Sequence, residues 1–175
     1  MDLPGYILDS ELHRGRKRVV YRARRGTDGY PLILKALADE FPSPADTASL
    51  RREYQILQSL PLPGSARPLA LETYRDRVIL VLEDCGDTTL KALVAEGALD
   101  VGPALSIAHQ LASTLADVHR AGVVHKDVSA SNVIVDRATM RATIADFGIA
   151  SRAGSEPQRL GLPHLIEGTL AYMSP

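Results

Sequence analysis

The residues best suited to chemistry lie in one stretch, V-V-H-K-D-V-S-A-S-N-V-I-V at 123–135, then a turn, then A-T-I-A-D-F-G at 142–148. Asp127, Asn132 and Asp146 carry the oxygen donors, and the apolar residues between them read as two strands of a short hairpin. Mg2+ takes oxygen ligands, accepts few of them from protein and shares the rest with water and nucleotide phosphates. Asn132 and Asp146 suit that task, while Asp127 could accept the proton of an attacking hydroxyl. The competing reading is three polar residues in two turns, and their joint spacing and strand context weigh against it.

A second charged group needs a partner. Lys35 is a lone charge in the apolar run Y-P-L-I-L-K-A-L at 30–37, and burying an ammonium unpaired is costly. Over 46–60, Leu50, Tyr54, Leu57 and Leu60 share one helical face, and at about 100 degrees per residue Glu53 falls in the middle of that arc. A carboxylate inside an apolar stripe is half of a pair. Lys35 and Glu53 are therefore expected to pair, the alternative being two independent surface charges.

The elements that must hold these residues follow in order. Strands are expected at 6–12 and 18–24, joined by H-R-G-R-K, and T-D-G at 27–29 signals a hairpin turn into the strand bearing Lys35. After the loop P-L-P-G-S-A-R-P, two more strands at 69–72 and 78–83 flank the turn Y-R-D-R, the second of them almost continuously apolar. Thr88 or Thr89 could cap a helix over 90–96 that Gly97 ends. Asp100 and Pro103 open a longer helix with Ala104, Ala108, Leu111, Leu115 and Val118 on one face, closed by His119, Arg120 and Gly122.

Bulk properties exclude several classes. With 175 residues, a net charge of -1 and 45% hydrophobic content, the chain has ordinary globular composition. Near-neutral charge argues against a nucleic-acid partner bound by broad phosphate neutralisation. A single cysteine, Cys85, allows no internal disulfide framework and suits a reducing compartment. No apolar run reaches membrane-span length and the start lacks the regions of a signal peptide, so a cytoplasmic location and no membrane partner are expected.

Together these motifs resemble the eukaryotic-type serine/threonine protein kinases. His125, Lys126 and Asp127 with Asn132 look like their catalytic loop, and Asp146-Phe147-Gly148 like their metal-binding motif. The combination H-K-D with Asn132, D-F-G-I-A-S-R and E-G-T-L-A-Y-M-S-P is most similar to the kinase-like domain heading large bacterial multi-sensor signalling proteins.

The resemblance implies an α+β, two-lobed fold: an N-lobe over 1–83 with a five-stranded antiparallel sheet and a helix, a hinge at 84–87, and a helical C-lobe over 88–175. That C-lobe is expected to be incomplete, the chain ending inside the activation segment. ATP and Mg2+ are the implied cofactors, and a protein substrate or attached signalling domains the implied partners. Asp127 would be the base, Asn132 and Asp146 the metal ligands, Lys35 the phosphate contact and Glu53 its orienting partner. Gly15 and Val20 would belong to the phosphate-covering loop, Glu83 to Cys85 would offer backbone groups to adenine behind Leu82, and Thr169 would hydrogen-bond Asp127 and help hold the substrate.

Three departures qualify the likeness. His13 and Arg18 stand where two of the glycine-rich loop's glycines belong, so Arg14, Arg16, Lys17 and Arg18 either meet phosphate by charge or form a solvated basic turn. Lys126 replaces the usual arginine and loses its planar fork. Ser129 stands where a lysine usually steadies the transferring phosphate, which implies low activity or a regulatory pseudokinase.

Overall fold

Apolar side chains from three neighbouring strands organise the first part of the chain. The structure, a computed structural model, describes residues 3–39, 41–75, 77–97, 99–153 and 168–172. It divides into two compact units, Met1–Gln58 with Arg67–Asp84, and Ser59–Ala66 with Cys85–Pro175. The first unit contains β1 (Tyr6–Arg14), β2 (Arg18–Arg25), β3 (Pro31–Leu37), α1 (Pro44–Gln58), β4 (Pro68–Tyr74) and β5 (Arg77–Glu83). Its strands form the expected five-stranded antiparallel sheet, in the order β1-β2-β3-β5-β4.

Val19, Tyr21 and Ala23 of β2, Leu32, Leu34 and Ala36 of β3, and Ile79 and Val81 of β5 pack into one core closed by Leu3. The alternate residues Val20, Lys35 and Leu80 are in register across the same three strands and so share the opposite face. There α1 buries Leu50, Glu53, Ile56 and Leu57. Tyr54, expected within that stripe, is only half-buried, and Ile56 takes its place. The helix also starts earlier than expected. Ser43 caps it, its hydroxyl accepting from Asp46 N (3.1 Å), and Pro44 occupies the first turn, where a missing N–H costs nothing.

The sheet is strongly curled. The Tyr6 hydroxyl donates to Glu72 Oε1 at 2.7 Å, although β1 and β4 are its two edges. Laid flat, four strand spacings would separate them by about 19 Å, so only a coiled sheet lets them touch.

In the second unit, β6 (Thr88–Thr89), α2 (Leu90–Ala95), α3 (Val101–Arg120), β7 (Val123–Val124), β8 (Val133–Asp136), β9 (Arg141–Ile144) and β10 (Ser151–Arg152) follow, with a 3-10 turn at Leu170–Tyr172. The antiparallel sheets are β6-β8-β9 and β7-β10. Thr89 is the cap of α2, its hydroxyl accepting from Ala92 N (3.1 Å). Gln110 of α3 grips the β8–β9 hairpin with both ends of its amide, donating to Met140 O and accepting from Ala142 N, each at 3.0 Å.

One expectation needs correction. The inner face of α3 is Ile107, Thr114 and Val118, whereas Ala108 is exposed. The helix turns this way because Thr114 lies against Gly64, where any Cβ would overlap its hydroxyl. Residues 59–66 group with the second unit. Ser65 bridges Ile144, Ile144 N donates to Gly64 O (2.8 Å) and Ala66 N to Ile144 O (2.9 Å), so this loop extends the β9 edge.

Burial and the bond to Glu72 push the Tyr6 phenol from 10.0 up to about 12. Folding therefore favours the protonated phenol, and its contribution is fully present below about pH 10 and lost as pH rises through about 12. Tyr6→Phe should therefore be less stable than the parent at pH 7, where that contribution is fully present, and the alkaline limb of its pH–stability profile by chemical denaturation should be flatter between about pH 10 and 12.

Candidate active site

The pair in the first unit is closed by geometry on both sides. Lys35 Nζ donates to Glu53 Oε1 at 2.7 Å and Oε2 at 2.9 Å. Both residues are buried, Lys35 4% and Glu53 1% exposed, so each charge there needs a counter-charge. Val20 sits directly across from Lys35 on β2, and Gly15 lies in the β1–β2 turn, its N–H donated to Arg18 O (2.9 Å).

Three of the four basic residues of the turn have partners in the first unit, and Arg16 is exposed. Arg14 donates to the Tyr21 hydroxyl (3.1 Å) and pairs with Glu11, Lys17 holds Asp46 (2.9 Å), and Arg18 reaches Glu53 (3.1 Å). Serine and lysine bonds from Ser43 and Lys17 hold the Asp46 carboxyl below its usual range. Sequence reasoning missed these partners because they depend on where α1 docks against the sheet.

At the end of β5, Glu83 N donates to Arg67 O (3.0 Å), so the Glu83 backbone group still able to serve a base is its carbonyl. Tyr30 hydroxyl donates to the Glu83 carboxylate (2.9 Å), and Arg22 pairs with Asp84 (2.8 Å). In the second unit Cys85, the one cysteine of the chain, is half-buried. A side chain at Gly86 would lie 2.7 Å from Val135 O, which leaves room there for glycine alone.

The remaining site residues meet around the β8–β9 hairpin. His125 is the buried hub, 1% exposed. Its Nε2 lies 3.0 Å from Ala145 O, its Nδ1 accepts from Asp127 N (3.2 Å), and its ring meets Phe147 edge-on at 4.5 Å. One nitrogen donates and the other accepts, which a neutral imidazole satisfies. His125 thus ties the segment before β8 to the segment after β9.

Asp127 is held from two directions. Asn132 Nδ2 donates to Asp127 O and Oδ2, both at 2.9 Å. Thr169 donates to Oδ1 twice, from its N–H (2.9 Å) and from its hydroxyl (2.6 Å). With both amide protons of Asn132 directed to Asp127, its Oδ1 is the atom left to act as a cation ligand. Asn132 precedes β8 and Asp146 follows β9, and Ala145 N donates to Asn132 O (2.8 Å), so the hairpin register sets both at one end.

Asp146 has φ +59, a left-handed conformation stabilised by its own carboxylate accepting from Gly148 N (3.2 Å). One amide oxygen and one carboxylate form a sparse, hard donor set. That fits Mg2+, which completes its shell with water and phosphate oxygens. Beside Asp127 opens a hollow of about 200 Å3 lined by Lys126, Val128, Thr169 and Tyr172.

Ser129 is 3% exposed, and its hydroxyl has no hydrogen-bond partner among the described residues. Most of the expected activation segment, including 154–167, lies outside the described residues.

A curled antiparallel sheet with a buried lysine–glutamate pair, followed by a hairpin unit that presents Asp127, Asn132 and Asp146, defines a domain of the protein-kinase class. The chain belongs to the protein kinase domain family, whose model matches residues 6–175. It is 31% identical to the serine/threonine-protein kinase PkaA of Streptomyces coelicolor, over 97% of this chain and 34% of that protein. It is 28% identical to the serine/threonine-protein kinase pkn2 of Myxococcus xanthus, over 89% and 19%. It is 27% identical to CBL-interacting protein kinase 11 of rice, Oryza sativa subsp. japonica, over 97% and 34%. The chain thus spans about a third or less of the length of these relatives. Among the described residues no helix is long and apolar enough to cross a membrane.

Replacing His125 by leucine leaves Asp127 N–H and Ala145 C=O without their partner. A loss of about 2–4 kcal/mol is expected, readable as a lower Tm, with hydrogen exchange accelerated first around 125–148.

Proposed function

We propose that the chain is the ATP-dependent domain of a protein serine/threonine kinase acting in bacterial signalling. The observation that carries this reading is the bonding of Asp127, oriented on one oxygen by Asn132 and on the other by Thr169. On this reading 1–83 is the N-lobe, 84–87 the hinge, and 88–175 belongs to the C-lobe.

When bound, Mg-ATP supplies the transferable phosphoryl group and a cation that offsets its charge. Asn132 Oδ1 and the Asp146 carboxylate would hold the cation. Lys35 would contact phosphate, with Glu53 fixing its direction. Val20 and Gly15 would line the nucleotide, and the Glu83 carbonyl and Cys85 backbone would face the base.

Asp127 would receive the acceptor hydroxyl. Three donors already occupy its oxygens, and a carboxylate offers about four acceptor sites. One direction is therefore left for the incoming hydroxyl, which Asp127 orients and whose proton it takes as the phosphoryl group is transferred. The hollow beside it, walled by Val128, Thr169 and Tyr172, is where a substrate serine or threonine would enter.

Ser129 favours a second reading, a nucleotide-responsive pseudokinase that regulates attached or partner domains. A buried neutral hydroxyl replaces a cation there, and one well-placed charge is commonly worth about 3–4 kcal/mol of transition-state stabilisation.

Radiolabel transfer from Mg-ATP to a generic protein substrate separates the two. The intact protein should label the substrate, and Asp127→Asn should lower the rate by about a hundredfold or more while nucleotide binding persists. Mg-ATP binding without any label dependent on Asp127 would establish the second reading instead.

A further inference from the structure

Glu53 takes a second cation that the ion pair with Lys35 does not require. Arg18 Nη1 donates to Glu53 Oε2 at 3.1 Å and Arg18 Nη2 to Ser49 Oγ at 2.9 Å. Ser49 and Glu53 are four residues apart on α1, so they stand one above the other, and the guanidinium fork spans both. Arg18 lies opposite Leu37, while Lys35 lies opposite Val20. Both cations therefore leave one face of the sheet, two positions apart, and converge on one carboxylate.

The preceding residue adds a second tie. Lys17 Nζ pairs with Asp46 at 2.9 Å, and Asp46 is itself bonded to the capping Ser43 at 2.6 Å. The start of β2 is thus fastened to α1 near its cap, at Asp46, and again two turns further on, at Glu53. These basic residues stand where a phosphate-covering turn would be expected, and they are directed at the helix.

We propose that Arg18 is a positioning residue that holds Glu53, and with it α1, independently of Lys35. Glu53 is 1% exposed, and a carboxylate at that depth cannot be left without a cation. With Lys35 as its sole partner, each turn of the ammonium toward phosphate would weaken the helix's anchor. With Arg18 in place, Glu53 stays neutralised while Lys35 shares its protons. The inference rests on the kinase reading for what Lys35 does, but the clamp itself can be measured without turnover.

Amide hydrogen exchange across Pro44–Gln58 in the intact protein reads the clamp. Lys35→Met should leave exchange of α1 within about threefold of the parent, and adding Arg18→Gln should raise it by at least about tenfold. Equal exchange in Lys35→Met and the double variant would overturn the proposal. If the double variant does not fold, Ser49→Ala with Lys35→Met replaces it: faster exchange than Lys35→Met alone supports the clamp, and an equal rate overturns it.

Kinetics provide the positioning readout. Arg18→Gln should lower kcat by about tenfold, Arg18→Lys should recover most of that, and in a Glu53→Gln background Arg18→Gln should have no further effect. Full additivity in that background would make Arg18 merely structural. A parent protein without Asp127-dependent transfer would remove the kinase reading while the exchange comparison still judges the clamp. Normal transfer with unchanged exchange would do the reverse.

Discussion

A carboxylate with 1% exposure in the middle of an apolar helix face sets the terms for the first unit. Glu53 can stay ionised there only with its charge matched and its lone pairs bonded. Three donated bonds from Lys35 and Arg18 do this. That requirement fixes how far α1 lies from the sheet and which of its faces turns inward. Leu50, Ile56 and Leu57 then fill the surrounding contact, since they occupy the positions flanking Glu53 on the helix. An apolar residue at 53 would pack as well but would leave two cations stranded, so ion pairing here specifies an orientation more than it adds stability.

The second unit solves its problem differently, with backbone held in uncommon conformations by neutral hydrogen bonds. Lys126 at φ +69 and Asp146 at φ +59 bracket the hairpin, and each costs energy for a residue with a Cβ. His125 joins the two strained segments through Ala145 O and Asp127 N. The imidazole can do this because it offers one donor and one acceptor on opposite edges of a flat ring, which Phe147 then buries. His125 and Phe147, which take no part in the proposed chemistry, thus help to place the backbone on either side of the hairpin.

Much of this was legible where burial imposes a period. The strand around Val19 to Ala23 alternates, Leu32 to Ala36 reads as a buried apolar run, and the misplaced charges of Lys35 and Glu53 announced each other because both broke an apolar pattern. The face of α3 was misread because alanines and leucines make more than one stripe on that helix. The choice fell to Thr114 packing on Gly64, a contact from a loop with no period of its own. The pairing of this loop with Ile144 was illegible for the same reason, since it is long-range. Arg18 was invisible for a subtler cause: its partner is set by the cross-strand register, and a basic run in a turn looks the same whether it meets solvent, phosphate or a helix.

Ser129 shows how geometry and rate separate in this site. Its carbonyl accepts from Asn132 N at 2.9 Å, a backbone bond that any residue at 129 would make, and the bonds that hold Asp127 come from Asn132 and Thr169. The loop therefore keeps its shape whatever side chain stands at 129. A buried hydroxyl without a partner costs about 1–3 kcal/mol, small against the network around it. Loss of a cation at this position thus falls on the charge that develops during transfer and spares the placement of Asp127, Asn132 and Asp146. On the proposed reading, nucleotide recognition and speed of transfer would then be separable properties of the same loop, and a chain could keep the first while relinquishing much of the second.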